Sequence, residues 1–301
     1  VLNSSDLPKK GTKHVSAIGL EMTVFRGESG KVYAVQAHCP HLGASFSVGG
    51  TVKNDAIVCP FHKWEFSGAS GECTHIPYLT AKKAPKQACL QRWAVTEYFG
   101  QIFVWLHAEG IAPSYALPDI PRIQSGAQVL RGQYNTHVQM HIMEFLENTT
   151  DFQHFDPLHG QMLVPFTEMT IPFVTVNHVP GWEEGKRKHG RGAGMDHVAY
   201  FYDNASLSFF GKECPTTSAQ AVIQLVGPGS YVRFTFETPL GAITLFQTHT
   251  PTDHLELDVQ FRWFADESMP KFLVWYIVGN WISQWKRDIF VWENKVYRKK
   301  P

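Results

Sequence analysis

Cys39-Pro40-His41-Leu42-Gly43-Ala44 and Cys59-Pro60-Phe61-His62-Lys63-Trp64, with 17 residues between His41 and Cys59, decide how the first part of this chain folds. One residue separates Cys39 from His41 and two separate Cys59 from His62. Each pair can tip a hairpin-like loop, and two such loops facing each other can clamp a two-iron cluster. Thiolates then hold one iron and neutral imidazoles the other, which removes negative charge and raises the reduction potential above that of an all-cysteine cluster. A zinc site is the main competing reading. Zinc fingers, however, group their cysteines and then their histidines, whereas the order here is Cys-His-Cys-His. Reading the four as unrelated core residues leaves their shared setting unexplained, with Gly43, Gly68, Gly71 and Ile76-Pro77-Tyr78 close by.

Short apolar runs lie around these loops. Residues 18–26 and 32–38 bracket the turn Gly27-Glu28-Ser29-Gly30, and 57–60, 64–66 and 102–105 follow with glycines as punctuation. The pattern predicts a small all-β domain ending near His107, with a domain boundary placed at 109/110. Residues 110–127, with three prolines and little periodicity, read as a linker. A helical stretch is expected around 141–153. Beyond it, residues 230–237 alternate, with Val232, Phe234 and Phe236 on one face, and lead through Thr238-Pro239-Leu240-Gly241 into 242–250 and then 254–264. An antiparallel meander follows from that alternation. Ser268 and Pro270 predict the start of a last helix, running to about Tyr297. The fold class is therefore α+β: an all-β domain at 1–109, then a second domain at 110–301 whose antiparallel sheet is flanked by helices. The basic run Lys186-Arg187-Lys188-His189, set between glycines, reads as a solvated loop.

A second metal site is written in Asp151-Phe152-Gln153-His154-Phe155-Asp156-Pro157-Leu158-His159. Two imidazoles separated by a helix-breaking Pro157 can converge on one ion from a helix end and the following turn. Two histidines and one carboxylate on one face of an Fe(II) leave the other face for O₂ and substrate. Several carboxylates could complete the set. Asp151 shares a helical face with His154, and Glu147 and Asp156 are near. Asp288 has a different claim, because Trp281, Trp285, Asp288 and Trp292 recur as one helical stripe. A carboxylate buried among tryptophans costs several kcal/mol unless it meets a cation, for which Arg287 or a metal could serve.

Taken together, CPHLGA…CPFHKWEFSGASGEC resembles the Rieske domain, and the spacing Asp151, His154, His159 is similar to the signature of Rieske non-haem iron oxygenases. Membership implies a [2Fe–2S] cluster on Cys39, His41, Cys59 and His62, and one mononuclear Fe(II) on His154, His159 and Asp288. It implies a helix-grip catalytic domain. It gives Asp151 a bridging role, hydrogen-bonded to a cluster histidine of a neighbouring subunit in a head-to-tail homotrimer, with Asn148 in its usual place three residues earlier. Electrons then pass from the cluster through His41 or His62, Asp151 and His154. The stretches GECTHIPYLTAKKAPKQACLQRWAVTEYFGQIFVWLH and WKRDIFVWENKVYRKKP resemble the steroid branch, which contains Neverland-type cholesterol 7-desaturases and 3-ketosteroid 9α-hydroxylases. The DIFVWENKVY ending favours the Neverland type. The implied reaction converts cholesterol to 7-dehydrocholesterol; steroid hydroxylation is the near alternative, because both outcomes need the same ligands. A Rieske electron carrier without a second iron is the alternative of another class.

Partners follow from composition and from what is missing. The formal net charge is zero, which gives no reason to expect nucleic acid. No glycine-rich dinucleotide fingerprint is present, so NAD(P)H would act through a separate ferredoxin-type or flavin reductase. Five cysteines at irregular spacing make a poor disulfide framework and point to a reducing, intracellular compartment; Cys73, Cys89 and Cys214 match no ligand position. No signal peptide opens the chain, and the apolar run at 272–278 is too short to span a bilayer. The relatives' N-terminal transmembrane segment leads us to expect association with the endoplasmic reticulum through residues preceding Val1.

Overall fold

Alternation builds the larger part of the molecule. Val232, Phe234 and Phe236 of strand Tyr231–Thr238 enter one core with Ile243 and Leu245 of Gly241–Asp253 and with Val259, Phe261 and Trp263 of Glu256–Asp266. Register makes this possible: Phe234 stands opposite Leu245, and Leu245 opposite Trp263, so one apolar row crosses three strands. The computed structural model describes residues 1–80, 84–183, 197–227 and 229–298. The basic run at 186–189 lies outside the described residues.

Contacts divide the chain into two compact units, Val1–Leu117 and Pro118–Pro301. The segment read as a linker, 110–127, contains this division, and also a short helix, Pro121–Gln124, that opens on its proline.

Among its described residues the first unit holds three small antiparallel sheets. Thr12–Ala17, Leu20–Arg26, Val32–Gln36 and Arg92–Trp93 form one; Thr51–Lys53, Ala56–Val58, Glu65–Ser67 and Cys73–His75 form another. Gln101–Val104, flanked by Leu2–Asn3 and Val95–Tyr98, makes the third. Cys39 and Cys59 pack into a core with Phe25, Val35, Phe46, Ile57 and Phe66, so both thiols are anchored in apolar material.

In the second unit one eight-stranded antiparallel sheet runs in chain order from Gln161–Leu163 to Glu256–Asp266. Gln128–Val138 alone departs from that order, pairing with Glu256–Asp266 at the edge. The last helix, Lys271–Trp292, packs Val274, Val278, Ile282, Trp285 and Trp292 into the core of the sheet. Its start corrects the expected Ser268 cap. Pro270 itself occupies the N-cap with no side-chain bond, and its carbonyl accepts from Leu273 and Val274. The helix ends at Trp292 rather than near Tyr297 because the following residues are drawn elsewhere. Glu293 Oε1 accepts from the Gln139 N–H at 2.8 Å, and the Tyr297 hydroxyl accepts from His141 N–H at 3.1 Å.

The expected helix at 141–153 is broken into pieces. Met143–Asn148 is helical, Phe152–His154 is one tight turn, and Phe155–His159 is a π-helical turn. The first piece ends at Asn148, and Asp151 starts the next: it is extended and its carboxylate caps that turn by accepting from Gln153 N–H at 2.9 Å. Pro157 has no N–H to give the preceding turn, which favours the wider π geometry.

Candidate metal centres and the adjoining pocket

The two Cys–His loops are built alike. The Cys39 N–H donates to Ala44 O and the Cys39 carbonyl accepts from Gly43 N–H; the Cys59 N–H donates to Trp64 O and its carbonyl accepts from Lys63 N–H. In each loop the residue four after the cysteine turns left-handed, Gly43 at φ 73° and Lys63 at φ 58°. Glycine takes that conformation freely, whereas Lys63 holds it at a cost that the loop's closing bonds offset. Both thiols are buried, at 3% and 2% exposure. Burial, and then the neighbouring Cys59, push the Cys39 thiol up to about 11. Above them the His41 and His62 rings lie 4.8 Å apart, and His62 Nδ1 is buried with no hydrogen-bond partner. Trp64 stacks on His41 at 4.5 Å and donates to the Tyr78 hydroxyl at 2.8 Å, which fixes the plane of that imidazole.

In the second unit the donor atoms of His154, His159 and Asp288 all lie within 4.8 Å of one another. His159 and Asp288 are buried, and His154 is nearly so. His159 Nε2 is 3.2 Å from Asp288 Oδ1, yet that oxygen has no hydrogen-bond partner among the described residues. Lone pairs facing one point without bonding each other are what a shared cation requires. Arg287, the other candidate partner, donates to the Leu158 carbonyl at 2.8 Å instead. Outer contacts set the imidazoles. Gln284 Oε1 lies 3.3 Å from His159 Nδ1, and Asn148 Nδ2 lies 3.1 Å from His154 Nε2. Gln284 Oε1 can only accept, so His159 carries its proton on Nδ1 and its lone pair on Nε2, whereas in His154 it is Nε2 itself that faces the Asn148 amide. Burial holds His154 below the ordinary histidine range, against the opposing pull of Asp288.

Of the competing carboxylates, Asp151, Glu147 and Asp156 are exposed and stand outside this group. Asp151 Oδ2 is 3.8 Å from His154 Nδ1, with its side chain 57% exposed.

A model of the Rieske [2Fe–2S] domain matches residues 1–95, and a model of the 3-ketosteroid 9α-hydroxylase C-terminal domain matches residues 104–301. The chain belongs to the steroid branch of the Rieske non-haem iron oxygenases. All of this Rieske oxygenase aligns with cholesterol 7-desaturase of Caenorhabditis elegans at 34% identity, spanning 71% of that protein. It aligns over 99% of its length with cholesterol 7-desaturase of Hemicentrotus pulcherrimus at 33% identity, spanning 63% of that protein. Its fold matches that of dicamba monooxygenase bound to dicamba, with a TM-score of 0.70 and 17% identity over 97% of this chain and 84% of that one. An all-β cluster domain followed by a helix-grip catalytic domain is thus the architecture of this oxygenase, and a free-standing electron carrier is excluded by its second half.

Beside the triad the oxygenase has a pocket of about 470 Å³, within the range of small-molecule sites. The last helix lines it from Leu273 to Asp288, and Phe201, Phe234 and Phe236 close it from the sheet. Trp281 and Trp285 face the same pocket with buried indole N–H groups that have no acceptor among the described residues. Among the wall's polar residues, His178 and Asp203 sit 2.7 Å apart, Nδ1 to Oδ2. Sequence reasoning missed both, since they lie on Thr170–Glu183 and Val198–Phe209, far from any motif. Gln284 was legible in principle: it stands one turn before Asp288 on the tryptophan stripe. All five cysteines are free thiols, and no helix among the described residues is long and apolar enough to cross a membrane.

Proposed function

We propose that this oxygenase desaturates a sterol, converting cholesterol to 7-dehydrocholesterol with electrons from a separate reductase that draws on NAD(P)H. The observation that carries the reading is the His154–His159–Asp288 group in the wall of a largely apolar pocket. His154, His159 and Asp288 would hold the mononuclear iron; Cys39, Cys59, His41 and His62 would hold the cluster. The donor sets fit both: a buried carboxylate oxygen unpaired among the described residues beside two imidazoles, and two buried thiols beneath two imidazoles. When bound, the cluster supplies single electrons and the iron activates O₂.

The chain's own residues supply placement. Phe201, Phe234, Phe236 and the stripe from Leu273 exclude water from the substrate and fix the ring system by shape. Gln284 keeps His159 in the tautomer that presents Nε2, and Asn148 holds the ring of His154 in place. Asp151 is assigned to accept a hydrogen bond from His41 or His62 of a neighbouring subunit in a homotrimer; its open carboxylate, 3.8 Å from His154, supports that role.

Incubating the metal-loaded protein with cholesterol, NADPH and a compatible reductase should yield 7-dehydrocholesterol. The match to the 3-ketosteroid 9α-hydroxylase domain favours one other reading, hydroxylation of a 3-ketosteroid. A 9-hydroxy product from the ketone, with cholesterol returned unchanged, would replace the first reading by the second. Association with the endoplasmic reticulum through preceding residues is part of the proposal, and fractionation of the native protein tests it.

A further inference from the structure

We propose that one end of the catalytic sheet docks on a lipid bilayer, so that a sterol passes from the bilayer directly into the pocket. The inference rests on the sterol reading given above and adds where the substrate is taken from.

The pocket wall shows where it opens. Of the described lining residues, only Thr216, Ser218, Pro239 and Leu240 are exposed. Pro239 and Leu240 make the turn between Tyr231–Thr238 and Gly241–Asp253, and Thr216 and Ser218 lie early in Lys212–Val226. Neighbouring strands run in opposite directions, so the turns at Phe209–Lys212 and Thr238–Gly241 project from the same end of the sheet. Strand Glu256–Asp266 finishes at that end too, with Ala265 opposite Ile243, and the last helix starts shortly afterwards at Lys271.

Large apolar side chains stand in solvent around this mouth. Phe210 is 80% exposed, Phe272 72%, Phe173 68% and Leu240 62%. The Phe173 and Phe210 rings stack at 5.1 Å, and the Phe210 N–H donates to the Phe173 carbonyl at 2.8 Å. Both residues hold a left-handed backbone, at φ 63° and 51°. Phe210-Gly211 is a two-residue hairpin turn with both φ positive, a turn that favours asparagine or aspartate before the glycine. A bulky residue there is strained, and the strain holds its ring out in water, where the fold gains little from it. Such a ring gains from a surface outside the chain.

Several features choose a bilayer as that surface. The rings sit on separate projections, a hairpin turn and a helix start, with exposed Lys212 just after Phe210 and exposed Lys271 just before Phe272. Apolar side chains at the acyl boundary with ammonium groups among the phosphates are the arrangement of interfacial segments. Glu213, beside Lys212, turns back to accept from the Ser206 hydroxyl. The mouth among these rings leads into a largely apolar pocket, and a sterol dissolves in lipid rather than in water.

The test is flotation of the metal-loaded protein with phosphatidylcholine vesicles, with and without added phosphatidylserine. The unaltered protein should float with both, and more completely with phosphatidylserine because of the two lysines. Phe210→Asn and Phe272→Ser should each weaken vesicle binding by about tenfold. Phe210→Asn should do so without lowering the denaturant midpoint, since asparagine suits the left-handed turn. Neither residue lines the pocket, so conversion of cholesterol carried by cyclodextrin should be unchanged while conversion from vesicles falls. An unaltered protein that does not float, or variants that float as well as it does, overturn the proposal. A lower midpoint in Phe210→Asn would return that ring to the fold, and a smaller assembly in solution for both variants would make the patch an interface between copies; either overturns it. Failure of the reaction reading looks different: vesicle binding would follow the expected order while no 7-dehydrocholesterol forms from either source.

Discussion

Asp288 shows how a single residue's surroundings reveal its task. It is 6% exposed, its Oδ1 has no hydrogen-bond partner among the described residues, and the nearby Arg287 turns to Leu158. Asp288→Ala should lose the mononuclear iron, keep the visible absorption of the cluster and abolish turnover; iron per chain should fall from about three to about two, since the cluster alone holds a pair. Unchanged iron content would remove Asp288 from the ligand set. This residue was legible because tryptophans at helical intervals mark an inward face, and a lone carboxylate on that face needs a reason. His178 and Asp203 were not, because strand pairing brings them together: His178 stands opposite Ala205, and Asp203 opposite Pro180, in a register that local sequence does not announce.

At the scale of the element, the last helix carries Asp288, the proposed third ligand, so anything that shifts it shifts the proposed centre. Gly279 marks its tightest approach: an added Cβ would meet Phe166 Cε2 at 2.5 Å and Pro165 Cβ at 2.6 Å. The Gly279 carbonyl also accepts from Phe166 N–H at 3.0 Å, which leaves that loop little room to retreat. Gly279→Ala should destabilise the protein by about 1–3 kcal/mol through overpacking, read from denaturant midpoints, and should weaken iron retention. A stability equal to that of the unaltered protein would mean that the loop yields freely. Periodicity made this helix and the 230–264 meander readable in advance. It misread 141–153 as one helix, because the capping carboxylate of Asp151 and the missing amide of Pro157 act against a pattern that looks continuous.

For the molecule as a whole, pH and assembly set the conditions of work. His249 is fully buried, with Nδ1 donating to Gly229 O at 2.9 Å and Nε2 2.8 Å from the Gln247 amide. Burial pushes it from 6.5 to about 4. Between those values the unfolded chain takes up a proton that the folded chain refuses, so stability falls as pH drops through this window, by at most about 1.4 kcal/mol per unit. His249→Gln should flatten that slope in unfolding experiments between the two values; an unaltered slope would assign acid sensitivity to other groups. The proposed head-to-tail trimer has its own signature. Mixing Cys59→Ser chains with Asp288→Ala chains should restore part of the turnover, because one supplies a working catalytic half and the other a working cluster. Well-mixed trimers without any recovery would confine electron transfer to single chains.

The sheet's strand order also dictates when its parts can form. Seven strands each meet the next along the chain, so hairpins can zip as the polypeptide emerges from the ribosome. Gln128–Val138 has no such neighbour: its partner is Glu256–Asp266, with Gln128 opposite Asp266. Until the far strand has been synthesised it is an open edge that other chains can pair with. Pulse-labelled hydrogen exchange during refolding should protect the amides of Tyr231–Thr238 and Gly241–Asp253 before those of Gln128–Val138, and simultaneous protection would point to a single concerted collapse. Nascent chains that end before residue 256 carry that edge exposed, which makes the moment of greatest aggregation risk a late one in synthesis.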